Sequence, residues 1–375
     1  MNLRKLRPLT HKQHPAEVIR HFTPNWFTMT MGTGILVLMI HAFPYPFPAQ
    51  DAIAEGLWWV DIGFYSLFSL LFIARLLLEP DSVRYLLEHP VQSMFLGAIP
   101  MGLVPVIDGG LLFGMPVGLA HLLWWLDVLL AVGFGWLVPY LMFTRHEHSL
   151  DGMSAVWLLP IVAAEVSASA GGLLAPHLAP EAARAVVGVS YILWALSVPL
   201  ALSVVVIVFL RLALHKLPHR SMAASSWLVL GPIGTGSLAL LVLGPAAGPA
   251  FADTPLAEAA AFARPFGLIM GLLLWGYGLW WWGMAWFFTL RYMREGLPFN
   301  MGWWGFTFPL GVYTAATLAL ARQTDWPALE FFGVLLVLQL AGFWLVVTAR
   351  TLHGMWHGYL FEAPCLAGRA PDAKA

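Results

Sequence analysis

Cysteine is almost absent: Cys365, in the C-terminal tail, is the only one in 375 residues. That excludes an intramolecular disulfide framework, an iron–sulfur site and a Cys-rich zinc site. Charge is scarce too. Asp, Glu, Lys and Arg make up 10% of the chain, against roughly 25% in an ordinary soluble domain. So few charges cannot cover a water-facing surface of this size, so the main solvent must be lipid. The net charge of −1 carries no global basic signal for nucleic acid. No nucleotide-binding loop and no Ser/His/Asp arrangement stands out, so no enzyme, no cofactor and no resident metal is expected. The basic N-terminal stretch lacks a short apolar core followed by a cleavage site, so it is not read as a removable signal peptide.

What is present is apolar surface. Hydrophobic residues form 59% of the chain, with 19 Trp and 24 Phe and a mean hydropathy of +0.75. A membrane-spanning helix needs roughly 20 apolar residues. Ten stretches qualify, at about 22–42, 54–78, 91–113, 116–143, 152–175, 183–210, 222–246, 256–289, 300–321 and 326–352. The expected protein is an all-α integral membrane protein. A basic cytoplasmic segment, 1–21, precedes a ten-helix transport domain, 22–352, and a cytoplasmic tail, 353–375, follows. Sixteen of the 19 Lys and Arg fall on one side of this arrangement: Arg4, Lys5, Arg7, Lys12, Arg20, Arg75, Arg84, Arg145, Arg211, Lys216, Arg220, Arg291, Arg294, Arg350, Arg369 and Lys374. Basic residues stay inside, so both termini are expected to be cytoplasmic, in a multi-pass protein of the cell membrane.

The chain repeats itself. Leu57-Trp58-Trp59-Val60-Asp61 in the second span returns as Leu123-Trp124-Trp125-Leu126-Asp127 in the fourth. Met31-Gly32-Thr33-Gly34 in the first returns as Ile233-Gly234-Thr235-Gly236 in the seventh. The spacing is that of helical hairpins, so the ten helices read as five parallel hairpin repeats. Odd spans carry Gly and Pro: Gly32 and Gly34; Pro100; Pro160; Gly231, Pro232 and Gly234; Gly305 and Pro309, with Gly311 beside them. Proline kinks a helix, and freed backbone groups belong inside protein or along a water-filled path. Five kinked inner helices around a central pore, jacketed by five Leu- and Trp-rich outer helices, satisfy that rule. The alternative use of the same Gly and Pro is tight helix packing.

Some polar residues lie inside the apolar stretches. Glu165 falls mid-span, where a charged carboxylate costs roughly 3 kcal/mol. It is a candidate for proton or substrate coupling, or else a neutral acid bonded to a neighbouring helix. Asp61 and Asp127 are expected to partner an Arg or a backbone donor. Arg264 is a candidate for pairing with one of these acids or for attracting anions at the external mouth. His353 and His357 have metal-ligand spacing without a third ligand. His41 and His121 raise a haem protein or membrane-embedded enzyme as a reading of another class, without the expected ligand pairs.

Phe22-Thr23-Pro24-Asn25-Trp26-Phe27-Thr28-Met29-Thr30-Met31-Gly32-Thr33-Gly34-Ile35 resembles the opening signature of the tellurite-resistance/dicarboxylate transporter family, and Trp303-Trp304-Gly305-Phe306-Thr307-Phe308-Pro309-Leu310 resembles its ninth helix. The likeness spans residues 20–355. It implies a homotrimer whose subunits each hold a pore of five odd-numbered helices, occluded by a Phe that maps onto Phe308. The implied cargo is a small anion. C4-dicarboxylates such as malate come first, and inorganic anions such as chloride, nitrate, sulfite or tellurite second.

Overall fold

The computed structural model describes residues 9–367 except 13 and 15. Arg4, Lys5, Arg7, Arg369 and Lys374 lie outside the described residues. Ten principal helices follow one another: α1 Phe27–His41, α2 Gln50–Leu78, α3 Ala98–Phe113, α4 Val117–Thr144, α5 Leu159–Leu174, α6 Pro180–His215, α7 Leu230–Phe251, α8 Ala257–Glu295, α9 Phe308–Thr324 and α10 Pro327–His357. Among the described residues nine, counted with their leading turns, are long and apolar enough to cross a membrane. The exception is α1, with 15 residues. Packing gives it a place equivalent to the other odd helices, against α2, α3, α9 and α10. Several outer helices run past their expected ends, α8 to Glu295 and α6 to His215.

The odd helices form a closed ring. α1 packs on α3, α3 on α5, α5 on α7, α7 on α9, and α9 returns to α1. Each even helix lies in the outer groove between two of them: α2 on α1 and α3, α4 on α3 and α5, α6 on α5 and α7, α8 on α7 and α9, α10 on α9 and α1. Burial follows the same division. The most apolar stretches of α3, α5, α7 and α9 are 83–94% buried, those of the even helices 22–39%. The Leu- and Trp-rich faces of the even helices are thus left for lipid.

Small residues let the ring close. Every inner joint has a glycine at the contact: Gly34 against Pro105, Gly97 against Leu159 and Pro160, Gly172 against Leu243, Gly234 against Tyr313, and Gly32 and Gly311 against Thr307, Trp304 and Ile35. At Gly234 a Cβ would lie 2.7 Å from the Tyr313 amide nitrogen and 2.8 Å from its Cα. Backbone cannot yield as a side-chain end can, so only Gly fits there. The sequence offered packing and pore-lining as alternative uses for these residues, and at the joints the structure shows packing.

A second device ties jacket to ring. Each even helix carries a Trp whose indole N–H reaches the next odd helix. Trp58 donates to the Val106 carbonyl at 3.1 Å, Trp124 to the Ser167 carbonyl at 2.9 Å and Trp194 to the Gly236 carbonyl at 2.9 Å. Trp275 donates to Thr317 Oγ1 at 2.9 Å and Trp344 to Thr33 Oγ1 at 3.0 Å. The repeat visible in two even spans therefore runs through all five, and the last member closes the circle onto α1. Interhelical hydrogen bonds of this kind contribute about 0.6–2 kcal/mol each in a bilayer.

Gly234→Ala is expected to lower the detergent melting temperature clearly, since overpacking of this kind costs roughly 1–3 kcal/mol. Gly56→Ala, on the exposed face of α2 with open space around it, is expected to leave it unchanged. Equal melting temperatures for both variants would refute the close-approach account of the ring.

Candidate functional site

All five inner helices begin in the same way. A 3₁₀ segment precedes each: Pro24–Trp26, Ser93–Gly97, Ala155–Leu158, Arg220–Trp227 and Met301–Phe306. In four of the five, a proline then stands in the first turn of the α-helix: Pro100, Pro160, Pro232 and Pro309. The kinks expected at these prolines take the form of a change of helix type. Proline costs little there, because first-turn N–H groups have no partner within the helix.

These starts surround a cavity of about 470 Å³. It is lined by Asn25 and Thr28 before and in α1, Gln92 and Phe95 before α3, and Val156 and Val162 of the α5 region. Ser225, Gly231 and Pro232 line it from the α7 region, and Asn300, Gly305, Phe308 and Pro309 from the α9 region. The C-terminal tail contributes Tyr359, Leu360, Glu362 and Pro364. The irregular backbone thus lies where such backbone is tolerated at membrane depth, against a cavity.

Among the described lining residues there is no Lys, Arg or His. Positive potential comes from elsewhere. A helix N-terminus carries about half a positive charge together with unpaired N–H groups, and five converge here. Asn25 and Gln92 add donors. The Asn25 side-chain oxygen accepts a bond from the Thr23 hydroxyl, which leaves its NH₂ without a partner among the described residues. Gln92 is 7% exposed; no bond from its Nε2 is found among the described residues, and its Oε1, an acceptor, is without a partner there too. Asn300 is fully used: its Oδ1 accepts from the Gly302 amide at 2.8 Å and its Nδ2 donates to the Ser221 carbonyl at 3.0 Å.

Phe308 is 4% exposed and lines the cavity. Its neighbour Phe306 packs into an aromatic group with Trp227, Trp303 and Phe343, with centroids 5.4–6.1 Å away. No ring contact of Phe308 is found among the described residues. Gly231, Pro232, Gly305 and Pro309 share the lining with it. Gly32, Gly34 and Gly234 face neighbouring inner helices, and so does Gly311, which sits on Ile35. Pro100 and Pro160 are buried in their first turns.

Glu165, the candidate for proton or substrate coupling, lies outside the cavity lining, and so do Asp61 and Asp127, expected as structural partners. Glu165 is fully buried in the contact of α5 with α6. Its Oε2 is 3.1 Å from Ser197 Oγ, which also lies 2.9 Å from the Ile161 carbonyl. Asp127 accepts from Ser167 Oγ at 2.5 Å. Both Asp61 oxygens lack a partner among the described residues. Arg264 is exposed, with no ion pair among the described residues, so its expected pairing with Asp61 or Asp127 is absent. His41 is held by Asp51 at 2.9 Å and His121 by Trp125 at 3.0 Å. His357 Nδ1 lies 2.8 Å from the His353 carbonyl.

The profile of the family described as voltage-dependent anion channel, SLAC1, matches residues 21–352. The chain belongs to this family. A sulfite efflux pump of Arthroderma benhamiae is 35% identical over 361 residues, covering 94% of this chain and 96% of the relative. A sulfite efflux pump of Arthroderma otae is 36% identical, with 92% and 93% covered. A malic acid transport protein of Schizosaccharomyces pombe is 25% identical, with 96% and 83% covered. The family places the chain among membrane anion transporters and channels, in agreement with the opening-signature and ninth-helix resemblances.

The tail that lines the cavity is held by contacts the sequence did not signal. Arg75 is fully buried below the short helix Pro80–Glu88 and donates to Ser82, to the Phe22 carbonyl and to Cys365 Sγ. His21 Nδ1 accepts the Ala363 amide at 3.3 Å, a bond open only to the neutral ring. Burial, with Lys12, Arg20 and Arg75, holds the His21 imidazole below its usual value, and Glu17 opposes the shift. A lowered folded-state pKa means that folding favours the neutral ring. This contribution is present above the unfolded value of about 6.5 and is lost as the pH falls through the lowered one. Chymotrypsin cleavage at Phe361, taken relative to cleavage of an unstructured peptide at the same pH, should therefore speed up as the pH drops below about 6.5. His21→Gln, whose side-chain oxygen accepts at any pH, should remove that dependence. An unchanged pH dependence in the Gln variant would exclude His21 as the anchor.

Proposed function

We propose that the chain exports small inorganic oxyanions of the sulfite class from the cytoplasm through the space enclosed by its five inner helices. The observation that carries this reading is the convergence of five helix starts and two free carboxamides on a cavity without a fixed cation. Such a site suits a compact anion that accepts many N–H bonds. A C4-dicarboxylate is the second reading. Its two separated carboxylates are usually met by guanidinium or ammonium groups, which this lining lacks. The identities support the same order, at 35–36% for the sulfite efflux pumps against 25% for the malic acid transport protein.

The cavity opens at the end bearing Arg84, Arg145, Arg220, Arg291 and both described chain ends, and the basic bias makes that end cytoplasmic. With no nucleotide-binding loop, the driving force is the anion gradient, the membrane potential or protons. Phe308 serves as the gate. A hydrophobic constriction blocks ions by excluding water, so one ring can close the path without charge.

Proteoliposomes offered sulfite, chloride, nitrate and malate should pass sulfite faster than malate. Malate flux without sulfite flux would reverse the order of the two readings. Phe308→Ala should raise anion flux severalfold even though truncating a buried ring lowers the melting temperature, a loss of roughly 3–5 kcal/mol in a packed core. A destabilised variant with no gain in flux would make Phe308 a packing residue.

A further inference from the structure

Beyond α10 the chain doubles back across the cavity mouth. Gly358, at φ +83°, ends the helix in the left-handed conformation. From Phe361 to Cys365 the side chains alternate. Phe361, Ala363 and Cys365 are buried, while Glu362 and Pro364 are exposed and line the cavity. The backbone at Ala363 is extended, and a 3₁₀ turn, Pro364–Leu366, follows it.

Three contacts hold the register. Phe361 stacks on Trp26 with centroids 4.7 Å apart and planes 21° apart. The Ala363 amide donates to His21 Nδ1, and Arg75 Nη2 lies 3.7 Å from Cys365 Sγ. A slip of one residue would bury Glu362 and turn Phe361 outward. The tail is therefore a mount that presents one chosen side chain. That side chain is the only one with a formal charge among the described lining residues, and its sign is opposite to that of the helix starts. It has no ion pair among the described residues.

We propose that Glu362 is a charge filter: held by the tail at the mouth, it favours singly charged anions over doubly charged ones. The proposal rests on the anion-transport reading above. Repulsion by a fixed carboxylate grows with the charge of the approaching ion, whereas a neutral donor makes no such distinction. For a pair separated by several ångströms at a wet protein surface, each added unit of charge costs about a fivefold change in occupancy, and salt reduces it. In the sulfite class the filter selects the protonated, singly charged form, bisulfite.

The test uses the full chain in proteoliposomes, with nitrate and sulfate as singly and doubly charged probes. Glu362→Gln is expected to raise the sulfate-to-nitrate flux ratio about fivefold at low ionic strength, and Glu362→Lys to raise it further, both effects shrinking in high salt. Glu55→Gln, an exposed acid on α2 outside the lining, is expected to leave the ratio unchanged. A ratio that stays constant in both Glu362 variants, or nitrate and sulfate rising together, would overturn the filter while leaving anion transport intact. A wild type that passes neither probe nor sulfite would remove the transport reading itself, and the filter with it.

Discussion

Inside a membrane a backbone amide has no water to bond. A helix that begins within the span leaves N–H groups that only protein or an enclosed wet space can satisfy. Five helices of this chain begin through a 3₁₀ segment, and all five starts surround one cavity. The rest of the architecture answers that constraint. The starts must surround a shared space, so the helices form a ring. The ring must be tight, so its joints are glycines. The outer surface must be lipid-compatible, so a second set of helices covers the grooves. The partial charges that make such starts costly in lipid are the same ones that make the space hospitable to an anion.

Much of this could be read from residue types. Scarce charge and long apolar stretches indicated the class, an all-α membrane protein. The Gly and Pro of the odd helices pointed to the ring, although Pro139, Pro199 and Pro265 lie inside even helices. The motif around Phe308 pointed to a residue that lines the cavity. Other features were not legible. Whether a glycine faces a neighbour or a cavity depends on rotation about the helix axis, so Gly231 and Gly234, three residues apart, have different surroundings. Glu165 looked like a candidate for chemistry because depth can be counted along a sequence, but the direction of its side chain toward Ser197 cannot. The tail carried no signal at all, since its placement depends on contacts with Trp26, His21 and Arg75, some 290 to 340 positions away in the chain.

The repeats also differ in what they keep. The indole bond is present in all five hairpins. The polar group three residues after the Trp is Asp61, then Asp127, then Ser197, and is replaced by Gly278 and Val347 in the last two. The shared element is thus the one that holds jacket to ring. The polar position varies with its local partners: Ser167 meets Asp127, and Glu165 meets Ser197.

The Trp344–Thr33 bond has a consequence for how the protein is made. It joins residues 311 positions apart, and the α9–α1 joint is nearly as distant. Of the ten helices, α1 is the one that fails the length and hydropathy test for a span. During synthesis it emerges before the other nine, with its polar threonines and its glycine face uncovered, while the partners that cover them, α9 and α10, follow only after the helices between. Until then it depends on α2 and α3 alone. A ring that closes only on its final hairpin gives the insertion machinery one late checkpoint, and chains released before α10 would expose an open seam.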